Sequence, residues 1–225
     1  MKIGYHCEGH DHLVLHCLIC GLRGIPEGSA TLLRTGLEPC NDGQVRKLLP
    51  VAIKRLSLDR TSAVVVARDN DGCGGTVCHK APGNCAKMRH SHHAAAGEPR
   101  DNSCRWCQLA AAVESAKVRH GGPTVAPPFP PVVICVPVET IEAWLLIARG
   151  LVENIPEYLG AEHWPGGCRP AGPKLKEMLY GRPGAGERLV NGVALPLLHR
   201  LPDVQAIGDH SESFRQFADQ VVGLP

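Results

Sequence analysis

The stretch Ala63-Val-Val-Val-Ala67, followed directly by Arg68-Asp69-Asn70-Asp71-Gly72, indicates the fold class of this chain. A short run of β-branched residues is typical of a strand that is buried on both faces of a parallel sheet. Two comparable runs also end in carboxylates: Lys2-Ile-Gly-Tyr-His-Cys7 before Glu8-Gly9, and Pro131-Val-Val-Ile-Cys-Val-Pro137 before Val138-Glu139-Thr140-Ile141-Glu142. We therefore predict that the three runs are strands of one sheet.

Helical patterns separate these runs. Leu15, Leu18, Ile19 and Leu22 recur at the spacing of one buried helix face. The same spacing predicts a helix over residues 45–56, which Pro50 is expected to kink or divide. Residues 29–34 are a further predicted strand, and helices are predicted near 104–119 and from 141 onward. This order predicts an α/β fold, with a mostly parallel four-stranded sheet and helices on both faces.

The C-terminal part of the chain is predicted to complete this core. We interpret residues 1–225 as a single domain in which residues 151–225 form a C-terminal extension that packs on the core. A short helix is predicted over 174–180. Asp209 and Glu212 have the spacing of a capping box, which predicts a last helix with the buried stripe Phe214, Phe217, Ala218, Val221 and Val222.

The carboxylates that follow the strands are expected to lie at one edge of the sheet, because parallel sheets place ligands at the carboxyl ends of their strands. These residues are Glu8, Asp69, Asp71 and Glu139. Two ionised carboxylates about 4 Å apart repel each other by roughly 4 kcal/mol at an effective dielectric constant of about 20. Such a cluster needs a raised pKa or a bound cation, and a divalent metal ion is the simpler solution. Alternatively, each acid caps the helix that follows it.

A strand ending in Glu-Gly, then a helix, then a later strand ending in Asp-x-Asp resembles the Toprim domain. Topoisomerases, bacterial primases and nucleases of the overcoming-lysogenisation-defect class share that domain. The continuation Val138-Glu139-Thr-Ile-Glu142-Ala-Trp-Leu-Leu146 is similar to variants in uncharacterised bacterial defence proteins, and so is the helix start Ser211-Glu-Ser213-Phe214. The resemblance implies a Toprim-like fold and chemistry on phosphodiester bonds.

The resemblance also implies roles for individual residues. Glu8, Asp69 and Asp71 would hold Mg²⁺ or Mn²⁺, and Glu8 would act as a ligand or as a general acid or base. Glu139 or Glu142 would be available for a second metal ion, which completes the set of candidate catalytic residues.

Residues 72–107 are rich in cysteine and histidine and form a predicted zinc-binding insertion. Cys104-Arg-Trp-Cys107 has the spacing of a zinc knuckle, and Cys73 with Cys78 supplies an opposing pair. Cys85 or His79 could substitute for a member of this quartet. The alternatives are a redox-sensing pair and thiols without a ligand. Cys17 and Cys20 also have knuckle spacing, but they lie within the first predicted helix, where we expect buried small residues.

Composition limits the partners and the compartment. The net charge of +2 is too small to indicate a nucleic-acid partner, so that prediction rests on local basic residues such as Arg68. We expect a cytoplasmic chain without membrane contact, because we find neither an apolar signal segment nor a membrane-spanning run. Eleven cysteines without such a signal favour metal binding over disulfides.

The leading hypothesis is a metal-dependent nuclease that hydrolyses DNA or RNA in defence against phage or plasmids. It has two alternatives. One is a non-catalytic Toprim-fold subunit that binds nucleic acid or a protein partner, and the other is a different phosphoryl-transfer enzyme, such as a primase-like protein. Because the sequence contains no ATPase module, a separate ATPase or other defence subunit is a further expected partner.

Overall fold

The computed structural model describes residues 1–37, 42–69, 105–120, 128–138, 140–162, 172–184 and 186–225. The described residues group into two compact units. The first unit lies within Met1–Arg68, Pro99–Cys135 and Asp219–Pro225, and the second lies within Asp69–Glu98 and Val136–Ala218. That the whole chain forms a single domain with a C-terminal extension stays a prediction.

The first unit contains a four-stranded, all-parallel sheet. Its strands are β1 (Lys2–His6), β2 (Thr31–Arg34), β3 (Ala63–Ala67) and β4 (Val132–Cys135), in the spatial order β2-β1-β3-β4. All five residues of β3 are buried, and β3 pairs with β1 and with β4 in parallel register. The prediction of an α/β fold with a parallel four-stranded sheet is therefore confirmed.

Three helices of the first unit pack on this sheet. They are α1 (Asp11–Leu22), α2 (Asp42–Leu58) and α3 (Arg105–His120). Right-handed crossovers, the rule for parallel strands, place α1 on one face of the sheet and α2 and α3 on the other. Consistent with this, α2 packs against α3. The approach of α2 to β1 is close, because a Cβ atom on Gly4 would lie 2.7 Å from a methyl carbon of Leu56.

Pro50 does not divide the second helix, one of the two outcomes that the sequence predicts. Helix α2 runs continuously from Asp42 to Leu58 with Pro50 in its interior. Burial explains this outcome, since Val45, Leu49, Ala52, Ile53 and Leu56 are all fully buried. Packing of this stripe offsets the missing hydrogen bond and the steric conflict that proline introduces, a cost of about 3 kcal/mol or more.

The last residues of the chain are fixed to the first unit by two polar side chains. Arg23 donates hydrogen bonds to the carbonyl groups of Val221, Val222, Leu224 and Pro225, the shortest being 2.6 Å to Leu224. Gln220 accepts from the backbone N–H of Ile134 and donates to its carbonyl, both at 3.0 Å. The side chain of Gln220 thus pairs the backbone N–H and carbonyl of Ile134 on the edge of β4 that faces away from β3.

The described part of the second unit is helical. Its α-helices are α4 (Glu142–Glu153), α5 (Gly172–Tyr180), α6 (Glu187–Leu189), α7 (Leu195–His199) and most of α8 (Glu212–Val222), with a π-helix at Val190–Ala194 between α6 and α7. Two 3₁₀ turns, Pro156–Gly160 and Val204–Asp209, connect these helices. Among the described residues of the chain, no helix combines the length and hydrophobicity that crossing a bilayer requires.

The core of the second unit is an aromatic cluster of Trp144, Phe214 and Phe217. Trp144 lies edge-on to Phe214 at 5.1 Å between ring centroids and is stacked with Phe217 at 5.5 Å. The indole N–H of Trp144 donates to Ser213 Oγ at 2.9 Å, and the backbone N–H of Ser213 donates to Glu162 Oε1 at 3.2 Å. Ser213 therefore links the indole of Trp144 to the carboxyl group of Glu162.

The start of α8 differs from the capping-box prediction. The backbone N–H of Phe214 donates to Ser211 Oγ at 3.0 Å, so Ser211 caps the helix in place of Asp209. Asp209 instead ends the preceding 3₁₀ turn. Val222, predicted to be buried, is 56% exposed, whereas Phe214, Phe217 and Val221 are buried as predicted.

Replacing Ser213 with alanine should lower the free energy of unfolding by about 1–3 kcal/mol, because the buried indole N–H of Trp144 loses its acceptor. Urea denaturation monitored by tryptophan fluorescence would measure the change. The exposed Ser29 provides a matched control, and Ser29→Ala should change the stability by less than about 0.5 kcal/mol. Equal effects of the two substitutions would contradict a stabilising role for this hydrogen bond.

Candidate functional site

The strand order reverses direction at the middle of the sheet. The chain moves from β1 to β2 on one side, and it later moves from β3 to β4 on the other side. Neighbouring strands β1 and β3 therefore flank a topological switch point, where open α/β sheets bind ligands outside the carboxyl ends of their strands. Glu8 follows the end of β1 by two residues, and Asp69 follows the end of β3 by two residues.

Glu8 lies in a tight turn between β1 and α1. Gly9 adopts a left-handed conformation with φ of 49°, and the carbonyl of Glu8 accepts from the backbone N–H of Asp11 at 3.3 Å. Glycine is favoured here because other residues are strained at positive φ. The side chain of Glu8 is half-buried. The turn holds Glu8 at the carboxyl end of β1 while the chain enters α1.

Three histidines surround Glu8 in the sequence. His6 is fully buried and donates from Nε2 to the carbonyl of Val45 at 2.9 Å, which fixes its ring against α2. His12 is also buried, and the rings of His10 and His12 are 6.2 Å apart. Imidazole nitrogens are thus close in sequence to the first predicted carboxylate.

Arg68 places a positive charge at the end of β3, directly before the half-buried Asp69. Its side chain is 4% exposed and donates from Nη1 to Gln108 Oε1 on α3 at 2.7 Å. Its backbone N–H donates to the carbonyl of Cys135 at 3.0 Å and so extends the pairing of β3 with β4. A guanidinium group remains charged at all physiological pH values, so this end of β3 carries a permanent cation.

Glu142 begins α4 in the second unit. It is 3% exposed, and its Oε2 atom is buried without a hydrogen-bond partner among the described residues. Thr140, two residues earlier, has a buried Oγ1 atom of the same kind. Of this pair, only Glu142 is a predicted site residue.

Several predicted site residues lie outside the described residues. They are Asp71 and Glu139 of the acidic set, and Cys73, His79, Cys78, Cys85 and Cys104 of the zinc set. The predicted Mg²⁺ or Mn²⁺ ligands and the predicted zinc quartet therefore stay predictions. Cys107, the zinc candidate that is described, is 4% exposed in the first turns of α3.

The zinc prediction can be tested by elemental analysis. Purified protein should carry about one Zn²⁺ per chain, and Cys104→Ser or Cys107→Ser should release it, because each removes a thiolate ligand. The double substitution of Cys17 and Cys20 by alanine is the control and should retain the ion. Zinc that persists in the Cys104 and Cys107 variants but is lost in the control would assign the metal to α1.

The thiols of α1 are buried, as expected. Cys17 is 6% exposed and Cys20 is 1% exposed. Burial raises the pKa of Cys20 from 9.0 to about 11. The pKa of Cys17 is raised more than that of Cys20. Burial is the larger cause, and a hydrogen bond with Glu27 adds to it.

His16 and Tyr5 complete the surroundings of these thiols. His16 contacts Tyr5 Oη through Nδ1 at 2.9 Å and Cys20 Sγ through Nε2 at 3.9 Å, and burial lowers its pKa. At neutral pH this cluster therefore consists of uncharged thiols and an uncharged imidazole.

Stability should fall as the pH rises from about 9 to about 11. In that interval the unfolded chain loses the Cys20 proton, whereas the folded chain retains it until its raised pKa is reached. Below pH 9 both states keep the Cys20 proton, so Cys20 contributes no slope there. Urea denaturation across this range should show a shallower decline in the Cys17→Ala, Cys20→Ala variant. Tyr5, whose pKa burial also raises, should preserve part of the slope. An unchanged slope would contradict the assignment.

Comparison of the chain with family models, with curated proteins and with solved structures found no match. The Toprim resemblance therefore rests on the residues quoted above.

Proposed function

We propose that this chain is a metal-dependent nuclease that hydrolyses phosphodiester bonds. The observation that carries the proposal is the reversal of strand order between β1 and β3, with Glu8 and Asp69 directly beyond the two strand ends. Ligand sites of parallel sheets form at such reversals. Carboxylates at this position would bind a cation. A bound cation would in turn attract the phosphate groups of a nucleic acid.

The donor atoms suit a hard divalent ion. Glu8 and Asp69 are described and half-buried, and both offer carboxylate oxygens, which Mg²⁺ and Mn²⁺ prefer. In the proposal Glu8, Asp69 and Asp71 hold the ion, and Glu139 or Glu142 would be available for a second ion. A bound ion of this kind would polarise the scissile phosphate and activate water.

Residues of the first unit would handle the substrate. Arg68 brings a buried, permanently charged guanidinium group to the end of β3, and Gln108 holds it there. Because its side chain is buried, Arg68 would act at a distance, by offsetting part of the negative charge at this end of β3. Glu8, in its fixed turn, would exchange a proton with the attacking water or the leaving oxygen.

The biological setting of the proposal comes from the resemblance. Similar Toprim variants occur in bacterial defence proteins, so we propose phage or plasmid nucleic acid as the target and a separate ATPase or other defence subunit as a partner. Zn²⁺ would stabilise the Cys/His-rich segment.

Asp69→Asn should lower Mg²⁺- or Mn²⁺-dependent cleavage at least about 100-fold, because it removes a charged metal ligand while preserving side-chain shape. Asp71→Asn should have a similar effect. Cleavage would be measured on panels of single- and double-stranded DNA and RNA with each metal ion. The exposed Asp59 at the end of α2 offers the matched control, and Asp59→Asn should leave cleavage unchanged.

The same assay separates the nuclease from its rival. Cleavage that survives in both the Asp69→Asn and Asp71→Asn variants would contradict the proposed site. Nucleic-acid binding without turnover on any substrate would instead favour a non-catalytic binding subunit.

A further inference from the structure

Helices α2 and α3 carry the excess positive charge of this chain. By sequence the two helices contain seven Lys or Arg residues and two acidic residues, which gives them a net charge of +5. The whole chain has a net charge of +2, so its remaining residues are acidic on balance. Because α2 packs against α3, their charges lie on one face of the first unit.

Five of these cations have exposed side chains, and we call them the basic strip. None of the five forms a salt bridge with an acid that the structure describes. The cation Arg55 is different, because its guanidinium group donates to the carbonyl of Thr35 at 3.2 Å. The members of the basic strip are Arg46, Lys47 and Lys54 of α2, and Lys117 and Arg119 of α3.

Several cations of the second unit have acidic partners instead. Lys174 pairs with Glu177 at 2.9 Å, and Arg200 pairs with Glu153 at 3.1 Å. Exposed pairs of this kind contribute little to stability, about 0–1 kcal/mol, but they neutralise the surface. The basic strip keeps its charge, and a surface with charges of one sign attracts partners of the opposite charge.

The basic strip begins at the edge of the sheet where the strands end. His6, the last residue of β1, donates to the carbonyl of Val45, so the start of α2 lies beside the carboxyl end of β1. Arg46 and Lys47 follow Val45 directly, at the end of the helix where the dipole does not favour cations. Lys54 is two turns further on, about 10 Å along the helix axis. The strip therefore leads away from the strand end that Glu8 follows.

We propose that the basic strip binds the phosphodiester backbone of a nucleic acid. Lys and Arg side chains on a protein surface contact backbone phosphates and position the nucleic acid without reading its bases. The choice of a nucleic acid over another polyanion rests on the proposed function, because the strip begins at the edge where that function places the metal ion.

An anionic membrane fits the basic strip less well. A helix that lies in a bilayer interface needs an apolar face that is free to insert. The apolar face of α2 is already used in the core, where Leu49, Ile53 and Leu56 are fully buried. Of the aliphatic side chains that the structure describes on α2, Val51 and Leu58 are the exposed ones, which is too few for insertion.

Fluorescence anisotropy of the full chain with labelled nucleic acids tests the proposal. The probes are duplex DNA, single-stranded DNA and RNA of about 30 nucleotides, without added Mg²⁺ or Mn²⁺, so that binding is measured apart from cleavage. Replacing Lys47 and Lys54 together by glutamine should raise the Kd about five- to eightfold for each lost phosphate contact at about 0.1 M salt. The slope of log Kd against log salt should fall by about 0.7–0.9 for each contact.

Lys174→Gln is the matched control, because it removes an exposed cation that already has an acidic partner. It should change neither the Kd nor the salt slope. Since Lys47, Lys54 and Lys174 are all exposed, the variants should keep the Tm of the natural chain within about 2–4 °C. A lower affinity at an unchanged Tm then reports lost contacts with the nucleic acid.

The outcomes distinguish this inference from the proposed function. An equal Kd and salt slope in the natural chain and the Lys47→Gln, Lys54→Gln variant would overturn the inference, even if the Asp69→Asn result shows a nuclease. Weaker binding by that variant, in a chain that cleaves none of the probes, would support the inference and count against the proposed function. Polyglutamate or phosphatidylserine vesicles that bind as tightly as the nucleic acids would overturn it in favour of an acidic protein or a membrane.

Discussion

Burial of β3 on both faces is the constraint on which the architecture of the first unit depends. A five-residue strand with no exposed side chain must be covered by helices above and below, and parallel neighbours joined by crossovers provide that cover. With β1 and β4 on its two sides, the chain leaves β1 toward β2 and later returns past it to β3. The reversal beside β3 follows from this path, and so does the position of the carboxylates beyond the strand ends.

Polar groups inside the chain fall into two kinds. Some are joined by directed hydrogen bonds that stabilise the fold, as with Trp144 and Ser213 or with Tyr5 and His16. Others, Thr140 and Glu142, have buried oxygens that no described residue satisfies. A buried oxygen without a partner lowers stability by about 1–3 kcal/mol.

The sequence predicts the strands and helices of the first unit well, because hydrophobic period and β-branched runs are local signals. It fails where packing decides. The buried stripe of α2 carries the helix through Pro50, and the hydroxyl of Ser211 competes successfully with Asp209 for the start of α8. The sequence places Glu8 and Asp69 at strand ends, yet it offers no sign of Thr140, whose unsatisfied hydroxyl is visible only from its surroundings in three dimensions.

The amide of Gln220 has a consequence for how this protein avoids misassembly. A bare outer strand can recruit a strand from another copy and seed aggregation. Here the backbone N–H of Ile134, which a recruited strand would pair with, is already bonded to Gln220. Arg23 donates to the carbonyl of Leu224, four residues after Gln220. Opening of the final helical turn would uncover these backbone groups of Ile134, so the protection of this edge from an added strand depends on the local stability of the last few residues.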